Sequence, residues 1–227
     1  TTEAQFAEAA VSCRAWASQH PKAQKRDPIS VEDVMNSRAI ADPLKVLDCS
    51  LVSDGGAAVV ITRKDRAKNG PHKPVTLLGY GEGHAYEHIS QAKDLTTSAA
   101  AQSGRAAYAE AGLTPDDIDL LQLYDCFTPA LLIQIEDLGF CGKGEGGAWL
   151  ASGISRPGGS KPMNTHGGML SYCHPGNPGA MFGLTEAMTQ MRGDAGERQL
   201  PNMRTALCHA QGGIMSSHAT IILGAED

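Results

Sequence analysis

The sequence predicts a layered α/β fold, and three observations carry that expectation. Short apolar segments of strand length alternate with segments of helical period along most of the chain. Glycine is abundant, at 26 residues, while aromatics make up only 5%, a mixture that suits tight helix–strand turns and small residues at contacts. At 227 residues the chain can bury a sizeable core, as one large domain or two small ones.

From the start of the chain, residues 3–19 place Phe6, Ala9, Ala10, Cys13 and Ala17 at roughly helical spacing. Residues 20–30 are polar, carry Pro21 and Pro28, and read as a loop. Ser30 and Asp33 suit the cap of a short helix over 31–36, and Asp42-Pro43 is a break. Residues 44–49 are a short apolar segment, Ser53-Asp54-Gly55-Gly56 is a turn, and 57–62 reads as a buried strand. A charged turn or short helix fills 63–69, and Gly70-Pro71-His72-Lys73-Pro74 reads as a linker, which places a boundary between residues 1–72 and 73–227.

Residues 75–80 begin a new strand, and 93–112 read as a long Ala-rich helix closed by Gly112. Thr114-Pro115-Asp116-Asp117 combines a capping threonine, a proline at the first helical position and an acid at the third, which opens another short helix. Residues 118–123 read as a strand, 128–138 as a helix with Leu131, Leu132, Ile135 and Leu138 on one face, and 141–163 as glycine-rich and irregular. A last helix over 179–192 turns Met181, Leu184, Met188 and Met191 inward as core; strands at 205–208 and 218–223 flank the Gly212-Gly213 turn. No internal repeat is visible.

The net charge of −6 gives no reason to expect nucleic acid as a partner, and it neither supports nor excludes a polyanion held by a local basic patch. Six scattered cysteines show no CxxC pair and no zinc-ligand spacing, so they read as thiols in a reducing, cytoplasm-like compartment, and no metal site is expected. No apolar run approaches the ~20 residues of a membrane helix, and no signal peptide is visible. The chain opens at Thr1, directly in a helical pattern, which reads as a processed chain or a fragment.

The densest chemical signal is the stretch 164–179, where glycines at 167, 168, 176 and 179 and prolines at 175 and 178 surround His174. Glycine lets backbone approach a ligand closely and proline stiffens the loop, a construction suited to holding one imidazole against a substrate. Two further loops leave strand ends: Tyr124-Asp125-Cys126-Phe127 runs into a capped helix, and Cys208-His209-Ala210-Gln211 runs into the Gly212-Gly213 turn. In layered α/β folds, ligands bind where such loops leave the strands.

These loops resemble, in order and approximate spacing, the catalytic loops in the C-terminal half of the thiolase superfamily. Asn164, Gly167, Gly168, His174, Pro175, Gly176 and Gly179 resemble the family's histidine loop, with Cys173 standing where glycine is usual. Tyr124-Asp125-Cys126-Phe127 resembles the Asn-Glu-Ala-Phe motif, or the His-Asp-Cys-Phe of the sterol-carrier type, and His209 aligns with the acid/base position of that type. Ser53–Ala58 resembles the end of the N-terminal half, and Leu77–Gly81 the start of the C-terminal half. The resemblance is closest to the lipid-transfer-protein branch.

It implies a thiolase-like αβα fold with a mixed sheet covered by helices on both faces. It also implies that residues 1–72 are the tail of the N-terminal half and 73–227 the C-terminal half. The implied chemistry makes or breaks a carbon–carbon bond beside a CoA thioester, through an enolate whose oxygen needs a pre-placed donor. His174 would donate to that oxygen, and His209 would shuttle a proton, with Cys208 as the acid/base if the register slips by one. Tyr124 could donate, or act as phenolate if its pKa fell below the ordinary ~10. Gly168 and Gly176 would let backbone approach the CoA substrate, with no covalently bound cofactor. Cys126 and Cys173 read as small packing residues, and His166 and His218 as structural.

The nucleophilic cysteine of a thiolase has no counterpart here: Cys13 lies mid-helix and Cys49 at a strand end. The leading expectation is an acyltransferase of Claisen or retro-Claisen type with its nucleophile outside this chain; the runner-up is a retro-aldolase on a β-hydroxyacyl-CoA such as a steroid side chain, and a third reading is a non-catalytic acyl-CoA or lipid-binding module. Tyr124 favours the second. The resemblance implies a homodimer and, for the lyase, a small zinc-ribbon/OB-fold partner.

Overall fold

The computed structural model describes residues 1–225. Helix α1 (Glu3–Ala17) opens on a capping box: Thr2 Oγ1 accepts from Gln5 N–H and Gln5 Oε1 accepts from Thr2 N–H. Its small residues Ala7, Ala9, Ala10, Cys13 and Ala17 are all buried, so neighbouring chain packs around it closely. Ser30 and Asp33 cap the short α2 (Val31–Met35) reciprocally, as the sequence suggests. A small ribbon pairs β1 (Ala39–Ala41) with β2 (Leu44–Lys45) across the cis Asp42–Pro43 bond, and the one-turn α3 is Lys64–Ala67.

The segment 57–62, expected as a buried strand, is not one. Val60 is 93% exposed and Ile61 89% exposed, and no strand among the described residues lies beside them. A strand exists through its cross-strand hydrogen bonds, and apolar residues alone do not make one.

A four-stranded mixed sheet forms the centre, in the order β3 (Val75–His84), β6 (Ser217–Ala225), β5 (Thr205–Gly212), β4 (Leu120–Gln122). The β3–β6 and β6–β5 pairs are antiparallel, and β5–β4 is parallel, with Leu121 opposite Leu207. Alternate strand residues serve opposite faces. Leu121, Leu207 and Ile222 join the larger core with α1, α4 (Ala100–Ala111) and α5 (Thr128–Asp137). Leu120, Ala206, Cys208 and Leu223 pack beneath α8 (Gly179–Arg192) on the other face, completing the α/β layers. The larger core mixes α1 residues with residues of the later half, so segments on both sides of the 70–74 linker share one interior.

Glycines on β3 let α4 lie directly on the sheet. A Cβ at Gly81 would stand 2.2 Å from the Ser103 carbonyl oxygen, and one at Gly79 or Gly83 would stand 2.4 Å from that of Ala107 or Ala99. Helix α4 begins at residue 100 rather than 93. Ser98 N–H and Oγ both donate to Asp137, as does Thr97 Oγ1, and these side-chain bonds hold the preceding residues in a non-helical path. The glycine-rich stretch 141–163 contains a short α6 (Gly146–Ala151), where Gly147 makes room for Gln5 of α1. The expected helix at 115–117 is a single 3₁₀ turn, with Thr114 and Asp117 bonded to each other. A four-residue α7 (Gly168–Ser171) lies inside the histidine loop.

Candidate active site

Three chain segments meet at His174. The imidazole Nε2 lies 3.0 Å from the Tyr124 hydroxyl, and Nδ1 lies 2.7 Å from Ser50 Oγ. The Tyr124 and His174 rings meet edge to face, with centroids 5.7 Å apart and planes at 85°. The backbone of His174 is tied as well, its N–H donating to Ser53 Oγ at 2.8 Å. A line of hydrogen bonds therefore runs Tyr124–His174–Ser50, with both side chains at its Tyr124 end half-buried.

Local structure explains why Tyr124 stands there. Asn164 is fully buried with φ of 51°, a conformation asparagine tolerates. Its amide accepts from Leu123 N–H and donates to Leu123 O, extending the edge of β4 by one residue. Gln134 of α5 then brackets Tyr124, accepting from its N–H at 3.0 Å and donating to its carbonyl at 2.7 Å.

Asp125 locks this loop to the histidine loop. Only 1% exposed, it accepts from Met169 N–H at 2.8 Å, Leu170 N–H at 3.2 Å and the Cys13 thiol at 3.3 Å. Burial raises its pKa to about 6, against the lowering effect of those donors. The same burial, with Asp125 beside it, pushes the Cys13 thiol well above its ordinary range, so Cys13 is a donor here and not a nucleophile.

Tyr124 and His174 thus come together as the sequence suggests, but the phenolate does not follow. Burial, with Cys126 and Asp125 nearby, raises the Tyr124 pKa to about 12, so the resting group is a phenol. Burial also lowers His174, which is neutral at pH 7. A neutral imidazole beside a phenol can take the phenol's proton as another reaches its oxygen.

His209 has a setting different from that of a proton shuttle at this pair. It is 3% exposed, and burial with His218 beside it lowers its pKa to about 3. Its Nδ1 lies 2.8 Å from Thr220 Oγ1 and its Nε2 3.0 Å from His218 Nδ1, while His218 Nε2 lies 3.0 Å from the Met215 carbonyl oxygen. A carbonyl only accepts, so the proton positions follow in sequence: His218 donates from Nε2, His209 donates to His218, and Thr220 donates to His209. Ser103 Oγ of α4 lies 2.8 Å from Thr220 Oγ1 and 3.2 Å from the Ala100 carbonyl oxygen. This chain anchors the β5–β6 turn, where Ile214 and Met215 both hold positive φ, to the sheet and α4. His209 and His218 are thus engaged with each other, Thr220 and the Met215 carbonyl.

Cys208 lies in the smaller core, beneath α8. Its thiol lies under Gly183 of α8, and burial raises it to about 12, which does not suit the acid/base alternative. Cys173 is likewise buried and raised to about 11. Cys126 does more than fill space: its sulfur accepts from Gln211 Nε2 at 3.2 Å and its carbonyl accepts from Ser50 N–H at 2.9 Å. Gly168 has a reason of its own, since a Cβ there would stand 2.0 Å from Asp125 Oδ2. Gly176 has φ of 68° and open space at its Cβ position.

Sequence reasoning missed Ser50, Asp125 and Gln134. Nothing near Ser50 in the chain marks it, because its partner lies 124 residues away. Asp125 carried a signal, as a lone acid between a strand and a capped helix in an apolar setting. Among the described residues no group of three or more His, Cys, Asp or Glu side chains could hold a metal ion, and no helix is long and apolar enough to cross a membrane.

The model of the thiolase C-terminal domain-like family matches residues 81–225, which include Tyr124, His174 and the whole β5–β6 hairpin. This chain belongs to that family. The thiolase C-terminal-like chain is 37% identical to an acetyl-CoA acetyltransferase of Methanothermobacter thermautotrophicus, over 94% of its own length and 56% of that protein. It is 40% identical to the 17-hydroxy-3-oxo-4-pregnene-20-carboxyl-CoA lyase of Mycobacterium tuberculosis, over 85% of its length and 50% of that protein. Among solved structures it superposes on an Ltp2-ChsH2(DUF35) aldolase with a TM-score of 0.91 at 37% identity, covering 99% of this chain and 59% of that one. The chain therefore spans about half the length of the relatives it matches. The thiolase-superfamily resemblance of its loops and the layered α/β fold are both borne out.

Proposed function

We propose that the Tyr124–His174 pair transfers protons in an enzyme that makes or breaks a carbon–carbon bond beside a CoA thioester, and that the reaction is retro-aldol cleavage of a β-hydroxyacyl-CoA. The observation that carries this reading is the 3.0 Å contact between the Tyr124 hydroxyl and His174 Nε2. As the β-hydroxyl proton passes to the Tyr124 oxygen, the phenol proton passes to His174 Nε2, and the His174 Nδ1–H donates to Ser50. The α–β bond breaks, the β-carbon becomes a carbonyl, and the electron pair moves onto the thioester as an enolate. The proton held by the pair then returns to the α-carbon, so the products are a carbonyl compound and a shortened acyl-CoA. Positioned proton transfer of this kind contributes about 10²–10⁴-fold.

Both the lyase likeness of the M. tuberculosis relative and the aldolase superposition support this reading. The CoA thioester is the substrate, and no covalently bound cofactor is required. A zinc-ribbon/OB-fold partner and a homodimer are part of the proposal, the former supported by the two-component aldolase. Six unpaired thiols support a reducing, cytoplasm-like compartment.

The second reading is a Claisen-type acyltransferase with its nucleophile outside this chain, favoured by the acetyltransferase likeness over 94% of the chain. The test uses the full natural protein. Tyr124→Phe should lower the cleavage rate of a β-hydroxyacyl-CoA by about 10²–10⁴-fold with thioester binding unchanged. Full cleavage in Tyr124→Phe would refute the lyase mechanism. A trapped acyl-cysteine with an acyl-CoA substrate would replace it with the second reading.

A further inference from the structure

Behind the histidine loop, a small chamber of about 10 Å³ lies between the end of β4 and the start of α8, lined by Gln122, Asp125, His166, Met169, Gly179 and His209 among others. Two polar atoms of its lining residues are sealed from solvent and have no hydrogen-bond partner among the described residues: Gln122 Oε1 and His166 Nδ1. Native interiors leave few such atoms unsatisfied.

The orientation of the Gln122 amide is fixed by its neighbours. Thr165 Oγ1 spends its single proton on the Glu186 carboxylate at 2.8 Å, and a carboxylate engaged with Arg198 at 2.9 Å only accepts. Thr165 Oγ1 must therefore accept from Gln122 Nε2, at 3.2 Å, which leaves Gln122 Oε1 as the atom without a donor. Exchanging the amide's ends would set two acceptors against each other. His166 cannot fill the need directly, since no hydrogen bond joins it to Gln122. His166 is 5% exposed, and burial lowers its pKa to about 4, so its ring is neutral at pH 7 and Nδ1 can donate or accept according to tautomer.

We infer that the chamber is a binding site for one water molecule, which donates to Gln122 Oε1 and hydrogen-bonds His166 Nδ1. The volume holds about one water, and two polar partners are the minimum that retains it. The water ties the end of β4 to the loop before α7. It does so beside Gly179, whose Cβ position is 2.9 Å from His174 Cδ2, and so sits against the back of the imidazole.

A larger pocket of about 270 Å³ is lined by His20, Lys22, Tyr172, Glu186 and Arg198 among others. His166 is the one residue that lines both spaces.

The test is a crystal structure of the full natural protein at a resolution that shows single waters, together with water-¹⁷O relaxation dispersion in solution. The expected result is one ordered water within hydrogen-bond distance of both atoms. Gln122→Met and His166→Phe should each lose that peak and show one long-lived water fewer than the parent. His166→Ala should join the two spaces and shorten the water's residence time at least tenfold. An empty chamber in the parent protein, a direct Gln122–His166 hydrogen bond, or a peak that persists in both Gln122→Met and His166→Phe would overturn the inference.

Discussion

Replacing Gly168 with alanine should be among the most damaging single-methyl changes in this protein. Gly168 has φ of 65°, and its added Cβ would stand 2.0 Å from Asp125 Oδ2, where ordinary contact begins at 3.4 Å. The carboxylate must move by more than an ångström, which it cannot do while keeping both of its bonds to Met169 N–H and Leu170 N–H. The left-handed conformation costs a non-glycine residue about 1–2 kcal/mol. A lost hydrogen bond to a charged acceptor costs about 1.5–3 kcal/mol. Losing one of the two bonds therefore puts the change at roughly 3–5 kcal/mol, a large part of a typical 5–15 kcal/mol stability. Gly176→Ala is the internal control, with φ of 68° but nothing within 4 Å of its Cβ, so it should cost only about 1–2 kcal/mol. Urea denaturation followed by circular dichroism measures both. Equal losses in the two variants would show that the Asp125 contact is not what demands glycine at 168.

Gly81→Ala should destabilise by about 1–3 kcal/mol or more, because its Cβ would meet the Ser103 carbonyl oxygen at 2.2 Å and lift α4 from the sheet; Gly56→Ala, in open space, should stay within about 0.5 kcal/mol. The pH dependence of stability should carry the signature of His209. Its folded pKa of about 3 lies below the ordinary 6.5, so its contribution is fully present above 6.5 and is lost as pH falls toward 3. Asp125, raised from 3.8 to about 6, works in the opposite sense, contributing below 3.8 and fading as pH rises through 6. His209→Gln removes only the first of these, so between pH 7 and 4 the parent should lose roughly 3 kcal/mol more than this variant. Parallel pH profiles of melting temperature would contradict the neutral histidine chain.

Much of the fold was legible because its signals are local. Capping pairs such as Ser30–Asp33, the leucine face of α5 and the Gly112 stop depend on residues within a turn or two of each other. The pairing of Tyr124 with His174 was legible only through the likeness of their loops, since 50 residues separate them. The failures follow from the same physics. Residues 57–62 have strand composition, but a strand is decided by a neighbour, and none stands there among the described residues. Residues 93–99 have helical composition, yet Asp137, some 40 residues on, draws Thr97 and Ser98 out of a helical path.

The sequence by itself determined the alternation of helices and strands, the glycine and proline frame around His174, and the family to which these loops belong. The tertiary structure alone decided protonation and partnership. It made Tyr124 a phenol near pKa 12 rather than a phenolate, put Ser50 beside His174, bonded His209 to His218, and gave Gly168 to Asp125. The physical reason is that pKa values and hydrogen-bond partners depend on burial and on groups distant in the chain.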